Sequence, residues 1–181
     1  SLSTDTDGIL GVDALGGSRI VVDFSRNRIE IRKAHHDTRM DGLTRIRARC
    51  RFRRLLMVDA SVGRVPVKAV IDTGSEYTLA NQALRVRLGL PARAIESTRT
   101  EVVGQTLVRQ HGERRSAPVI RFGSVQVLEP LVIFGDFYIF DLWELQTQPA
   151  LVIGMDLIGT LDRFVVDDQR RDLHVRPGRS R

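Results

Sequence analysis

The sequence predicts a mainly β fold with one or two short helices, and three observations carry that reading. Val, Ile, Leu and Thr fall in short runs separated by Gly, Pro and charged clusters, the pattern of strands joined by turns. Only residues 80–88 read as a convincing helix. A pattern of strand, glycine, short helix and hairpin occurs twice.

Along the chain, strands are predicted at residues 19–23, 28–32, 45–53, 55–60, 65–71, 101–110, 118–122, 125–134, 151–153, 163–167 and 172–176. The helix at 80–88 is closed by Gly89, whose lack of Cβ suits a left-handed C-terminal cap. A second short helix follows Gly154, over residues 155–159.

The repeat begins with Gly8-Ile-Leu-Gly-Val-Asp-Ala-Leu-Gly16, followed by Arg19-Ile-Val-Val-Asp23 and Arg28-Ile-Glu-Ile-Arg32. It returns as Leu151-Val-Ile-Gly-Met-Asp-Leu-Ile-Gly159, then Arg163-Phe-Val-Val-Asp167 and Asp172-Leu-His-Val-Arg176. The offset is 143 residues between Gly11 and Gly154 and 144 between Asp23 and Asp167, so one insertion reconciles the copies. The second copy closes a complete unit, residues 45–176. The first, residues 1–32, closes a preceding unit whose beginning is not in this chain. A fragment of about 30 residues cannot bury its own apolar face. It must pack on the complete unit, on another chain or on a removed segment. Residues 33–44 read as a linker, and residues 177–181 as a disordered tail.

Composition narrows the function. With 181 residues, 42% of them apolar, the chain can build a real core, which excludes disorder as its main state. Its longest apolar runs, such as residues 131–134, are far too short to span a bilayer. Ser1 opens without a charged n-region and apolar h-region, so this stretch is not a signal peptide; a mature or truncated chain would look the same, so a cytosolic location does not follow. A single cysteine, Cys50, forbids an intrachain disulfide, and four scattered histidines without Cys-x-x-Cys offer no structural zinc site. The net charge of +6 is carried mostly by arginine, and a basic chain drifts toward nucleic acid, anionic lipid or acidic partners.

Val70-Ile71-Asp72-Thr73-Gly74-Ser75 is the strongest local signal. Two apolar residues place Asp72 at the end of a buried strand. Thr73 and Gly74 then turn the chain so that the carboxylate is presented, and Gly74 permits a close approach that a side chain would forbid. Ser75 is expected to hydrogen-bond the carboxylate and favour its ionised form. The motif alone is short enough to occur by chance. Its context is specific: a strand before it, a helix after it, and Val152-Ile-Gly154 later in the chain.

Over residues 54–176 the sequence resembles the retropepsin-like (pepsin-type) aspartic proteases, most closely their bacterial members. The matching residues are Ala69-Val-Ile-Asp-Thr-Gly-Ser75, the flap-like Val102-Val-Gly-Gln-Thr-Leu-Val108 and Ala150-Leu-Val-Ile-Gly-Met-Asp-Leu-Ile-Gly159. The resemblance implies a closed, barrel-like β lobe, with Gly8-Ile-Leu-Gly-Val-Asp13 as the tail of a preceding lobe. It implies an aspartic endopeptidase in which two lobes or subunits each supply one Asp-Thr-Gly loop, and the paired carboxylates share a proton and activate a water. Asp72 is then the catalytic carboxylate, and Thr73 locks its loop to the partner loop. Gly74 lies near substrate, and Ser75 tunes Asp72. Val103, Gly104 and Gln105 belong to a flap over the substrate. One loop per chain departs from the pattern, so the second Asp must come from a homodimer mate or from a missing amino-terminal lobe. No metal or organic cofactor is implied, the partner is a polypeptide substrate, and a periplasmic or envelope location follows from the resemblance alone.

Other features have plainer readings. Asp13, Asp156, Asp167 and Asp168 read as turn and surface acids, with Asp156 capping the short helix. Residues 45–53 alternate Arg with apolar residues, giving a strand with one cationic face. A solvated edge strand is favoured there over a phosphate-binding stripe, because no aromatic stacking platform accompanies it. Nucleic acid is therefore not expected as a partner. Cys50 on the apolar side reads as packed. Phe134, Phe137, Tyr138, Phe140 and Trp143 read as core with partial exposure, against a cleft or interface lining. His35 and His36 beside Asp37 lack a third metal ligand. The rivals to the protease reading are an inactive binding or dimerisation module of the same fold and, less favoured, a basic nucleic-acid-associated protein using the arginine face of residues 45–53.

Overall fold

The computed structural model describes residues 15–34, 40–51, 55–91, 99–103 and 109–178. Asp13 and the glycine run around it, His35, His36, Asp37, Gly104, Gln105 and the last three residues lie outside the described residues. Fourteen strands form one mixed sheet among the described residues. They are β1 (Ser18–Asp23), β2 (Arg28–Lys33), β3 (Thr44–Arg51), β4 (Leu55–Val62), β5 (Val65–Ile71), β6 (Leu79–Ala80) and β7 (Arg99–Val103). Then follow β8 (Arg109–Ser116), β9 (Ile120–Phe122), β10 (Val125–Val127), β11 (Leu131–Gly135), β12 (Ala150–Ile153), β13 (Leu161–Asp167) and β14 (Asp172–Pro177). Three short helices accompany them: α1 (Gln82–Arg87), α2 (Tyr138–Leu142) and α3 (Met155–Ile158).

The strand order is β2-β1-β13-β14-β3-β4-β5-β12-β6-β11-β8-β7, with β9 and β10 branching from β4. Among the described residues the sheet is open, with β2 and β7 at its ends, so the expected barrel-like closure is not made. The central strands are buried on both faces, which is why they read as continuous apolar runs. Ala69, Ile71, Leu151, Ile153, Val132 and Phe134 face one core cluster. Their neighbours Val70, Val152 and Ile133 face the other, together with Phe137, Phe140 and Leu145. The aromatic group divides accordingly: Phe134, Phe137 and Phe140 are buried, while Tyr138 is 65% exposed. Phe137 sits against the cross-strand pair Gly112 and Gly135, where a Cβ on either glycine would lie within 2.7 Å of its ring.

Helix α1 is capped by the Asn81 side chain, which accepts from the Leu84 amide (2.9 Å). Gly89, at φ +67°, ends it as the sequence predicts. Three elements differ from the sequence reading. The predicted strand 125–134 is broken by Glu129 at φ +46° and Pro130 into β10 and β11. The predicted strand 101–110 falls on β7 and β8, with residues 104–108 outside the described residues. The arginine-rich strand is not an edge: β3 lies between β14 and β4. Its alternation survives with Ile46 buried and Arg45, Arg47, Arg49 and Arg51 exposed. Neighbouring strands supply counter-charges, Asp172 to Arg45 (2.7 Å) and Asp59 to Arg49 (3.5 Å).

The repeat is also structural. The β1–β2 hairpin packs on the complete unit by pairing antiparallel with β13, in the register Arg19↔Asp167, Val21↔Val165, Asp23↔Arg163. Both hairpins have one register, since Val22↔Ile29 matches Val166↔Leu173 at the 144-residue offset. Their turns match too. Asp23 Oδ1 accepts from the Arg26 amide (3.1 Å) and Asp167 Oδ1 from the Arg170 amide (3.0 Å). Asn27 and Arg171 then take the same left-handed conformation, at φ 48° and 54°.

Candidate active site

The Asp72 loop is built by a strand that enters from far along the chain. Residues 65–71 form β5, and β6 resumes at Leu79; β12 lies between them, parallel to β5 and antiparallel to β6. Because β12 fills this gap, the loop between β5 and β6 must leave the sheet, and its backbone groups find partners on β12 and α3. The Asp72 amide donates to Ile153 O (3.1 Å), the Met155 amide to Ser75 O (2.8 Å) and the Asp156 amide to Glu76 O (3.1 Å). Gly154 is where the two segments touch. A Cβ there would lie 2.5 Å from Tyr77 O and 2.9 Å from Ser75 O.

Asp72 itself is half-buried at the strand end, with Thr73 and Gly74 exposed beside it and Ser75 half-buried. The Gly74 amide donates to Asp72 Oδ1 (2.9 Å) and the Ser75 amide to Asp72 O (3.3 Å). The Ser75 hydroxyl donates to Tyr77 O (2.7 Å), so the expected hydroxyl–carboxylate bond is replaced by a backbone one from Gly74. Among the described residues the Gly74 amide is the one hydrogen-bond donor to the Asp72 carboxylate. Val103 ends β7, opposite Arg109 of β8, and is 43% exposed. Its neighbour Val102 and Tyr77 of the Asp72 loop pack on the same core cluster, which ties this hairpin to the loop.

Thr78, which the sequence reading passed over, and Asp156, read there only as a helix cap, hold the loop from behind. The Thr78 amide and hydroxyl both donate to the Asp156 carboxylate (2.9 and 2.7 Å). The Thr78 hydroxyl also accepts from the Gly154 amide (3.2 Å). Thr78 is fully buried while Asp156 is exposed, so the bonds run from the core to a carboxylate at the surface. The cap expected of Asp156 is not made: Gly154 is the N-cap of α3 and Asp156 lies in its first turn, accepting from the Leu157 amide (2.8 Å) while it fixes the end of the Asp72 loop. Nothing local in the sequence marks the pair, because 78 residues separate its members.

Comparisons with known proteins bear on the family and the fold. An aspartyl protease family model matches residues 58–157, more than half of the chain. Among solved structures, a retropepsin-like aspartic protease from Rickettsia conorii is similar, with a TM-score of 0.54 at 16% identity, covering 74% of this chain and 89% of that one. The retroviral protease-like domain of Ddi1 from Leishmania major aligns with a TM-score of 0.44 at 20% identity, over 68% of this chain and 93% of that one. No curated protein matches. The matched span runs from the core of β4 through the Asp72 loop to α3, the segments that build and brace the site. On that match and the retropepsin-like fold, the chain belongs to the aspartyl protease family.

Proposed function

We propose that the chain is one half of an aspartic endopeptidase, with Asp72 as its catalytic carboxylate. The observation that carries this reading is the braced Asp72 loop, which presents an open carboxylate between exposed Thr73 and Gly74. One carboxylate does not suffice. A second must share a proton with Asp72, so that the ionised partner takes a proton from water while the protonated one donates to the peptide carbonyl oxygen. The hydrated intermediate then expels the amine as a proton reaches its nitrogen. The second aspartate comes from a second copy or from a preceding lobe of the same kind, whose closing hairpin is β1–β2. Exposed Thr73 is the residue that meets the partner loop, and Val103, Gly104 and Gln105 form the flap over a bound polypeptide.

The alternative is a binding or dimerisation module of the same fold, favoured by the single loop per chain. Cleavage of a peptide library in the presence of a chelator, read by mass spectrometry from acidic to neutral pH, separates the readings. Asp72→Ala lowers cleavage by about 10³-fold or more if the carboxylate is a general acid–base group. Metal-independent cleavage that survives Asp72→Ala overturns the proposal. A species carrying two intact loops that cleaves nothing favours the binding module.

A further inference from the structure

The β1–β13 seam carries reciprocal ion pairs. Arg19 donates to Asp167 Oδ2 through Nε (3.0 Å) and a terminal nitrogen (2.6 Å), and Arg163 donates to Asp23 Oδ2. Side chains alternate across a strand, so the register sets Arg19, Val21 and Asp23 of β1 on one sheet face with Arg28, Glu30 and Arg32 of β2. The chain from β2 to β3 must pass β1, β13 and β14, which lie between them in the sheet. Its end brings Met40, Asp41 and Leu43 beside this face, and together they wall a cleft of about 500 Å³. That volume is in the range of small-molecule sites.

The cleft holds more positive charge than its own carboxylates answer. Arg19, Arg26, Arg28, Arg32, Lys33 and Arg163 line it, against Asp23, Glu30 and Asp41. Asp23 is taken by Arg163, and Glu30 is divided between Arg28 (2.8 Å) and Arg32. Lys33 has no ion-pair partner among the described residues, Arg26 approaches Asp23 only to 4.0 Å, and Arg163 Nε is buried without an acceptor. The surplus arises where the two copies of the repeat differ. Arg28 stands at the place of Asp172, which pairs with Arg45 of β3 (2.7 Å). No strand flanks β2 on its outer side among the described residues, so the Arg28 and Arg32 side chains stay 61% and 68% exposed. Between the charges lie apolar groups: Val21, Met40 and Leu43 line the same cleft and are half-buried. We propose that this cleft binds a phosphorylated small molecule of nucleoside diphosphate size, its phosphates held by Arg28, Arg32 and Lys33 and its apolar body laid on Val21 between Met40 and Leu43. Arginine forks pair with phosphate oxygens two at a time, and a diphosphate outweighs the single charge of Glu30 in competing for them. A lipid headgroup offers the same phosphate chemistry; walls on both sides of the cleft favour a free ligand. The site uses neither Asp72 nor its loop, so it stands apart from the endopeptidase reading.

Calorimetric titration of the full chain with ADP and with inorganic pyrophosphate, in magnesium-free buffer, tests the site. Both are expected to bind one molecule per chain, ADP the more tightly by about tenfold because its nucleoside covers the apolar groups. Arg28→Ala with Arg32→Ala is expected to weaken both ligands by about tenfold or more. Arg47→Ala with Arg49→Ala removes the same charge from exposed positions of β3 outside the cleft, and is expected to leave both affinities unchanged. All four side chains are exposed, and the urea midpoint of each variant checks that the fold is kept. Equal weakening by the two pairs would reduce the effect to general charge attraction and overturn the proposal. So would the absence of binding by the intact chain, or equal affinity for ADP and pyrophosphate. Vesicles of phosphatidylcholine with and without phosphatidic acid read the lipid source. Binding to the acidic vesicles without binding of ADP overturns the assignment to a free ligand.

Discussion

Gly154 shows what the site requires at the level of one residue. Its backbone lies against Tyr77 O and Ser75 O so closely that a methyl group must displace one segment or the other. Gly154→Ala is expected to destabilise the protein by about 1–3 kcal/mol, the usual cost of overpacking, measured as a lower urea midpoint with an unchanged slope. An unchanged midpoint would mean the contact is not tight. This glycine was legible in the sequence, because Val152-Ile-Gly154 repeats earlier in the chain and belongs to a recognisable pattern. Thr78 and Asp156 were not legible as a pair. A buried hydroxyl and a carboxylate 78 residues apart leave no periodic trace. The role expected for Ser75 failed for a related reason: its hydroxyl found a backbone carbonyl two residues on, as serine in a tight loop commonly does.

Among the elements, α1 depends on Asn81 more than on its own six residues. Asn81 Oδ1 accepts from the Leu84 and Ala150 amides, and Nδ2 donates to Leu145 O and Gln148 O. The side chain thus caps the helix and ties it to the start of β12. Asn81→Ala is expected to cost about 2–4 kcal/mol in chemical unfolding, since it removes a cap and leaves buried polar groups without partners. A cost below that of an ordinary surface cap would contradict the bracing role. The long apolar strands β5, β11 and β12 could be read from sequence because both faces are buried. Two-residue β6 and five-residue α2 could not, since both are too short to show a period and are set by packing. The misplacement of β3 as an edge has the same origin. Alternating charge reports one solvated face but not the number of neighbouring strands, and here β14 and β4 flank it.

The whole molecule carries a pH dependence in the part of the sheet around the seam. Burial pushes the pKa of His174 below its ordinary 6.5. Its Nε2 has no hydrogen-bond partner among the described residues. The unfolded chain then binds the extra proton more readily, so this contribution is intact above pH 6.5 and is lost as pH falls from there through the lower folded value. The Arg163 bond and the Ser25 hydroxyl hold Asp23 at about 2. Burial works to raise Asp167, but the Arg170 amide and Arg19 together hold it below its ordinary 3.8. Both aspartates stabilise the fold above pH 3.8 and lose that contribution as pH falls toward their folded values. Unfolding midpoints measured from about pH 7 to about pH 3 are expected to fall in two stages, and His174→Leu is expected to flatten the upper one only. An unaltered profile in that variant would place the upper stage elsewhere. At this scale the repeat was the informative sequence feature. It left three docking sites open for the first copy, and only the register of β1 on β13 selects among them, because reciprocal ion pairs form between residues that no local pattern joins.

The central claim is that two Asp72-type carboxylates act as one unit, and a mixing experiment tests it most directly. Intact protein is combined with Asp72→Asn protein in varying proportion, and peptide cleavage is followed at constant total concentration. With both carboxylates required, activity falls as the square of the intact fraction and vanishes when every Asp72 is replaced. A linear fall, or activity that persists with every Asp72 replaced, would contradict the account.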